Sequence, residues 1–413
     1  MKNELTYRAV EKKDVPFWKS KSWRLGAMGF LFDAFDVALF SFALVLLAEE
    51  WGLDAQQKGL LGSINSLGMA LGAVLAGSLA DRWGRRIIFM GTLLLFGLGT
   101  SISALATGFW MMMVFRLLIG LGLGGEVPIA AAYVSETARS SEKGRAVVMA
   151  ESFWAVGWIL ASLISYFIMP EYGWRIAFLM GGIPALYAVY LRRNLGESQV
   201  FLQAKAARKT EVPLRQLFST PFRRGTITLW VLWFTINFAY YGMFLWLPSI
   251  VLDKGFSLVQ SFGYTVAMTL MQLPGYLMAA WLIEIIGRRW VLTIFIVGTA
   301  ISAYGFGASG SLATLLLFGG ALNFFNLGAW GALYAYTPEI YPSLLRARGS
   351  GYASGFGRLG SIIAPYTVGF LLAAHLETSQ IFWMFFAVLM IGGLTVFLIG
   401  PETKGRRVEE LHL

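Results

Sequence analysis

Apolar stretches of roughly the length needed to cross a membrane alternate with short charged clusters along the whole chain. They fall at 24–47, 58–80, 87–106, 110–133, 146–168, 174–191, 225–250, 260–283, 290–309, 312–336, 349–373 and 380–400. About 20 apolar residues in an α-helix span about 30 Å of hydrocarbon. The pattern therefore predicts an all-α membrane protein with twelve transmembrane helices, six on each side of a basic interior segment. The predicted organisation is an N-terminal segment 1–23, a first six-helix bundle 24–192, a linker 193–224, a second six-helix bundle 225–400 and a tail 401–413. An amphipathic helix is expected at 197–208 in the linker, attracted to anionic lipid.

The two bundles are related by an internal repeat. Gly77-Ser78-Leu79-Ala80-Asp81-Arg82-Trp83-Gly84-Arg85-Arg86 has a weaker copy, Glu284-Ile285-Ile286-Gly287-Arg288-Arg289, 203 positions later. Tyr133, Glu136 and Arg145 recur as Tyr336, Glu339 and Arg348 at the same offset. Two pseudo-equivalent halves around a midplane site are what alternating access requires, so the repeat points to transport.

Composition agrees and removes other classes. The chain is 57% hydrophobic and only 14% charged, with a mean hydropathy of +0.64, whereas soluble domains carry about a quarter charged residues. Of the 33 Lys and Arg, 28 lie in segments on one side of the twelve spans, and Lys58, Arg175 and Lys254 lie opposite. By the positive-inside rule both termini are expected in the cytoplasm. The excess positive charge is thus topological, and no basic soluble module with stacking aromatics suggests nucleic acid. With no Cys there is no thiol chemistry or zinc–thiolate site, and the Gly-rich helices lack a phosphate-binding Lys-Ser/Thr, so neither metal, cofactor nor enzymatic activity is expected. The polar N-terminal segment shows no cleavage pattern, so the first helix is expected to serve as an uncleaved targeting signal.

Glycines cluster inside spans, at Gly120, Gly122, Gly124 and Gly125 and again at Gly349, Gly351, Gly355, Gly357 and Gly360, which marks helices that pack closely in the bundle interior. Pro128, Pro248, Pro274 and Pro365 mark kinks or openings of the hydrogen-bond ladder.

Six ionisable residues fall within spans: Asp33, Asp36, Arg116, Glu126, Glu151 and Arg358. Each costs on the order of 2.5–3.5 kcal/mol to insert at mid-bilayer, which makes function the first explanation for it. Asp33 and Asp36, at i,i+3, share a helix face. Proton coupling is expected through Asp36 first, with Asp33, Arg116 and Glu126 as the other candidates; a permanently paired structural acid is the alternative. Arg116 and Glu126 are about 15 Å apart along their helix, too far for a salt bridge. Glu126 can carry a proton, bond substrate or simply bond a neighbouring helix. Arg358 suits a substrate carboxylate through bidentate bonding; snorkelling, or pairing with Glu126 or Glu151, is the alternative.

Polar–aromatic stripes supply a pocket. One runs through Asn323, Asn326, Trp330 and Tyr334, a second through Asn237, Tyr240, Tyr241 and Phe244, and a third through Glu151, Trp154 and Trp158. Rings with polar edges can sandwich and orient a flat heteroaromatic ligand. Arg358, Tyr240, Asn326, Trp330, Asn237, Tyr241, Trp154, Glu151 and Asn323 are the expected substrate-binding residues.

The ordered motifs resemble the major facilitator superfamily over essentially the whole chain. Gly77 to Arg86 is similar to its loop 2–3 signature and Glu284 to Arg289 to the loop 8–9 version. Glu136 with Arg145, Glu197-Ser198, Glu339 with Arg346 and Arg348, and Pro401-Glu402-Thr403-Lys404-Gly405 resemble the sugar-porter branch. The paired glutamines of sugar porters are absent, and only Asn237 remains. Trp233-Phe234-Thr235, Tyr240-Tyr241-Gly242 and Trp246-Leu247-Pro248 instead resemble the niacin transporters and the related synaptic-vesicle glycoprotein and organic-ion transporters. Asp33-Ala34-Phe35-Asp36 resembles the signature of aromatic acid:proton symporters, with Ala in place of Gly.

The resemblance implies proton-coupled uptake of nicotinate or a similar small aromatic monocarboxylate by a monomer in the plasma (inner) membrane. It also implies an Asp36–Arg116 partnership and a basic substrate-binding residue at position 358. Organic-cation or drug transport by the same fold, and a non-transporting receptor, are the alternatives. Asp81, Arg82, Arg85, Arg86, Glu136, Arg145, Glu197, Glu284, Arg288, Arg289, Glu339, Arg348 and Glu402 are expected to form a cytoplasmic gate of ion pairs. Each such pair contributes only about 0–1 kcal/mol, so only a network can bias the equilibrium.

Overall fold

The computed structural model describes residues 16–137, 143–194 and 214–405, and all regular structure among them is helical. The first half consists of α1 (Lys21–Trp51), α2 (Ala55–Trp83), α3 (Arg85–Ser103), α4 (Phe109–Thr137), α5 (Lys143–Met180) and α6 (Ile183–Asn194). The second consists of α7 (Arg223–Phe244), α8 (Leu247–Asp253), α9 (Leu258–Thr269), α10 (Gln272–Ile285), α11 (Arg288–Gly307), α12 (Leu312–Tyr336), α13 (Ser343–Ala373) and α14 (Thr378–Ile399). The linker helix expected at 197–208, most of the linker, the outer parts of both termini and the gate candidate Glu197 lie outside the described residues.

The duplication persists in the backbone at the register read from the sequence. Helices α2, α3 and α4 begin 203 positions before α9, α11 and α12. Asp54 and Ser257, again 203 apart, both close capping boxes with a Gln at the third helical position, satisfying orphan backbone donors at both helix starts. Gly84 (φ 101°) and Gly287 (φ 95°) each turn the chain into the following helix in a conformation that L side chains rarely adopt. The Gly-Arg-Arg repeat is therefore a turn before a helix, and its glycine has a backbone reason.

Among the described residues eleven segments are long and apolar enough to span a membrane, and one of them, Arg145–Tyr190, is 46 residues long. Gly173, at φ 75°, breaks that segment between the two stretches anticipated at 146–168 and 174–191, so it makes two passes and the fold has twelve. The spans at 225–250 and 260–283 are interrupted close to Pro248 and Pro274, as those prolines led one to expect, whereas Pro365 sits inside the unbroken α13. The first turns at Leu245–Trp246 into the short α8, with Pro248 in its first turn, where a missing N–H costs nothing. The second opens at Leu270–Met271, just before Pro274.

Close approach depends on glycine at the expected helices. A side chain at Gly124 would collide with the Met69 carbonyl of α2, and one at Gly360 with the Phe234 carbonyl of α7. Such contacts let small residues replace a hydrophobic driving force that lipid does not supply.

The halves interlock at the end of the bundle away from Lys21 and Ile399. There, Gly59 and Gly369 let α2 and α13 pack backbone against backbone, and the Tyr366 N–H donates to Ser63 Oγ at 3.1 Å. Toward the opposite end, Gly351 and Gly355 share the α13 face of Arg358, are exposed, and have open space where a side chain would stand.

Candidate functional site

Between the halves lies a cavity of about 420 Å³ lined by Phe30, Glu151, Trp154, Trp233, Tyr240, Tyr241, Tyr276, Leu327, Trp330, Tyr334 and Arg358. Six of the nine anticipated substrate residues line it: Arg358, Tyr240, Trp330, Tyr241, Trp154 and Glu151. The three asparagines do not. Asn323 Nδ2 donates to the Gly319 carbonyl at 2.8 Å and its Oδ1 accepts from Gln272 Nε2 at 2.9 Å, which ties α12 to α10. Asn237 Nδ2 donates to the Trp233 carbonyl one turn back at 2.7 Å. Asn326 is buried, and neither amide atom is bonded among the described residues. Phe30 of α1, Tyr276 of α10 and Leu327 of α12 line the cavity from outside the three polar–aromatic stripes, and Trp233 of the Trp-Phe-Thr motif and Tyr334 of the α12 stripe complete its wall.

The ring arrangement is specific. Tyr240 stacks on Phe244 with centroids 4.7 Å apart and meets Trp330 edge-on at 5.7 Å. Its hydroxyl accepts from Trp154 Nε1 at 2.7 Å and from Trp158 Nε1 at 2.6 Å, two residues one turn apart on α5. Trp233 meets Trp330 and Tyr334 edge-on at 5.8 and 5.2 Å. Opposite polar groups face the same space. Arg358 Nη1 donates to the Tyr241 hydroxyl at 3.2 Å, and Glu151 and Tyr334 line the same cavity.

The buried acids divide between two partners despite sharing a face of α1. Asp36 Oδ2 lies 3.4 Å from Arg116 Nη1, and Oδ1 accepts from Thr100 Oγ1 of α3. The Arg116 guanidinium also packs over the Phe40 ring, 4.3 Å from its centroid, and the whole pair is excluded from solvent. Asp33 and Glu126 lie in reach of each other, fully buried, and none of their four carboxyl oxygens receives a donor among the described residues. Gly29 of α1 makes room for the Glu126 carboxyl, since a side chain there would collide with it. Arg358 is within electrostatic range of Asp33.

At the end carrying the termini, the second half closes a charge cluster. Arg288 Nε lies 3.1 Å from Glu339 Oε2 and Arg288 Nη2 lies 3.0 Å from Glu284 Oε1. Glu402 accepts from the backbone N–H groups of Arg288 and Arg289 at 3.0 and 3.2 Å, capping α11. Arg289 donates to the Phe397 carbonyl, which ties α11 to α14. In the first half Arg82 and Arg145 are exposed and Arg85 and Arg86 half-buried, as is Arg348 in the second, whereas the side chains of Asp81 and Glu136 lie outside the described set.

The description "Major Facilitator Superfamily" matches the chain at residues 26–273 and 260–412. The chain is 47% identical over 398 residues to the "Putative niacin/nicotinamide transporter NiaP" of Bacillus subtilis (strain 168), covering 96% of this chain and 100% of that one. It is 42% identical over 420 residues to the niacin transporter NiaP of Acinetobacter baylyi (strain ATCC 33305 / BD413 / ADP1), covering 95% of each. Its fold is similar to that of the xylose transporter XylE from E. coli in a partially occluded inward-open conformation, with a TM-score of 0.76 at 18% identity, over 93% of this chain and 98% of that one.

Proposed function

The chain belongs to the Major Facilitator Superfamily, and from that premise we propose that it is a secondary transporter that carries nicotinate, or a closely similar aromatic monocarboxylate, together with protons. It is a transport protein and not an enzyme. The observation that carries the substrate reading is Arg358: a guanidinium deep in the bundle, held by a tyrosine hydroxyl and opening onto a cavity walled by indole and phenol rings. A planar ring fills the aromatic walls, and its carboxylate meets a group suited to bidentate bonding.

The proton path uses the buried acids. Protonating Asp36 removes its attraction for Arg116, freeing that guanidinium to change partners between α1 and α4. Asp33 and Glu126 meet acceptor to acceptor, and a proton between them converts the contact into a hydrogen bond. Substrate entering beside Arg358 competes with Asp33 for the same cation, which links loading to the acid pair. Rocking of the two halves about the cavity then exposes it alternately at each end, with the interlocked α2–α13 contact and the Arg288–Glu339 cluster as opposing closures. By the distribution of Lys and Arg, the end carrying the termini faces the cytoplasm, in the plasma (inner) membrane of a bacterium. A monomer holds the complete cavity, and the bundles 24–192 and 225–400 joined by 193–224 are the moving units.

Glu151 lines the same cavity, and it is the feature an organic-cation carrier would use. Calorimetric binding of nicotinate, nicotinamide, benzoate and a quaternary ammonium to purified protein separates the readings. Tight nicotinate binding with weak nicotinamide binding is expected. Preference for the ammonium would replace the aromatic-acid reading by a cation carrier.

A further inference from the structure

The hydroxyl of Tyr240 is bonded in a way that leaves it one role. An indole N–H is a donor only, so the contacts from Trp154 at 2.7 Å and Trp158 at 2.6 Å both use the tyrosine oxygen as acceptor. Two donors fill its two lone pairs. The remaining capacity is the O–H itself, and no acceptor for it is found among the described residues. The ring is fixed by stacking on Phe244 and by edge contacts to Trp330 and Tyr241, so the group cannot swing away to find one. Tyr240, Trp154 and Trp330 all line the cavity that holds Arg358.

Resting on the aromatic-acid reading, we propose that Tyr240 is a specificity-determining donor that reads a hydrogen-bond acceptor on the substrate ring, so that the site selects an acceptor-bearing heteroaromatic acid over its carbocyclic counterpart. The two indoles enforce this polarity. They prevent the tyrosine from accepting a hydrogen bond from the ligand, so a ring N–H or O–H at this position meets a filled acceptor. Arg358 and Tyr240 then divide the recognition, one taking the carboxylate and the other the ring acceptor. A site built around a committed donor rejects a ligand lacking the acceptor more strongly than shape alone would, because a buried O–H is left unpaired.

The test compares nicotinate with benzoate, which differ at the ring by nitrogen against C–H, by calorimetry on wild type and Tyr240→Phe. Wild type is expected to prefer nicotinate by about tenfold, in keeping with one hydrogen bond. Tyr240→Phe also strips the acceptor from both indole N–H groups, so affinity for both acids is expected to fall, and the ratio of nicotinate to benzoate affinity is expected to drop to about one. A second measurement needs no variant: picolinate, whose ring nitrogen sits beside the carboxylate and cannot meet Tyr240 in the pose of nicotinate, is expected to bind wild type no better than benzoate. Retention of the nicotinate preference in Tyr240→Phe overturns the assignment, as does picolinate binding as tightly as nicotinate. Failure of wild type to bind either acid overturns the aromatic-acid reading itself, and the assignment with it.

Discussion

Asp36 and Arg116, 80 positions apart in sequence, place a carboxylate 3.4 Å from a guanidinium where neither reaches solvent. Only one of the three guanidinium nitrogens is satisfied by this contact; Arg116 Nε and Nη2 have no hydrogen-bond partner among the described residues and lie among the Phe40 and Phe178 rings. An incompletely satisfied buried pair is a poor device for stability and a suitable one for a switch, because little binds the arginine to its present position once the acid is neutral.

Removing one member should therefore cost more than removing both. Arg116→Ala leaves Asp36 buried without its cation, a change that costs about 3–5 kcal/mol in comparable buried pairs. The double variant Asp36→Asn/Arg116→Ala should recover much of the lost melting temperature in detergent. Equal melting temperatures for the single and double variants would show that the pair is not the interaction being broken.

Asp36→Asn alone is expected to separate binding from coupling. Reconstituted protein should still exchange labelled nicotinate across the bilayer, while accumulation driven by a pH gradient falls to the level of equilibration. Undiminished accumulation would remove Asp36 from the proton path.

The Asp33–Glu126 contact makes a prediction of the opposite sign for stability. Glu126→Gln supplies an amide donor to a carboxyl that receives none. An unsatisfied buried polar group costs about 1–3 kcal/mol, so this variant should melt at or above wild type. A clear loss of stability would mean that the two carboxyls do not face each other.

Outside the spans, Asp253 offers a pH test with a defined sign. Burial raises its carboxyl above the ordinary value of 3.8, against an opposing attraction from Lys58. The folded state holds this proton more tightly than the unfolded chain. Its contribution is fully present below the unfolded value and is lost as pH rises through the folded one. The melting temperature of Asp253→Asn relative to wild type should thus grow as pH rises from about 4 toward neutrality. A shrinking difference would mean that the Lys58 attraction outweighs burial.

The scaffold was legible in the sequence because the repeat constrains it. Helix starts, capping boxes and positive-φ glycines all return at an offset of 203. The chemistry departs from that repeat: positions 203 after Asp33, Asp36, Arg116 and Glu126 hold Ile236, Ala239, Gly319 and Ala329, and the position 203 before Arg358 holds Ala155. A charge without a counterpart in the other half is thus a better sign of a site than a repeated one. What the sequence could not settle was facing. On α12, apolar nearly all round, Asn323 and Asn326 share the stripe of Trp330, yet the ring lines the cavity while Asn323 bonds Gln272 of α10. Period alone does not say which neighbour a stripe meets. The backbone openings near Leu245 and Leu270 were legible from Pro248 and Pro274, although they fall three or four residues before those prolines, whereas Pro365 leaves its helix unbroken.

The most direct measurement is accumulation of labelled nicotinate by proteoliposomes holding wild-type protein, with an imposed pH gradient and with that gradient collapsed by a protonophore. Accumulation above the external concentration that disappears with the gradient is the expected result. Uptake that merely equilibrates regardless of the gradient, or accumulation of a quaternary ammonium in place of nicotinate, would contradict proton-coupled transport of an aromatic acid.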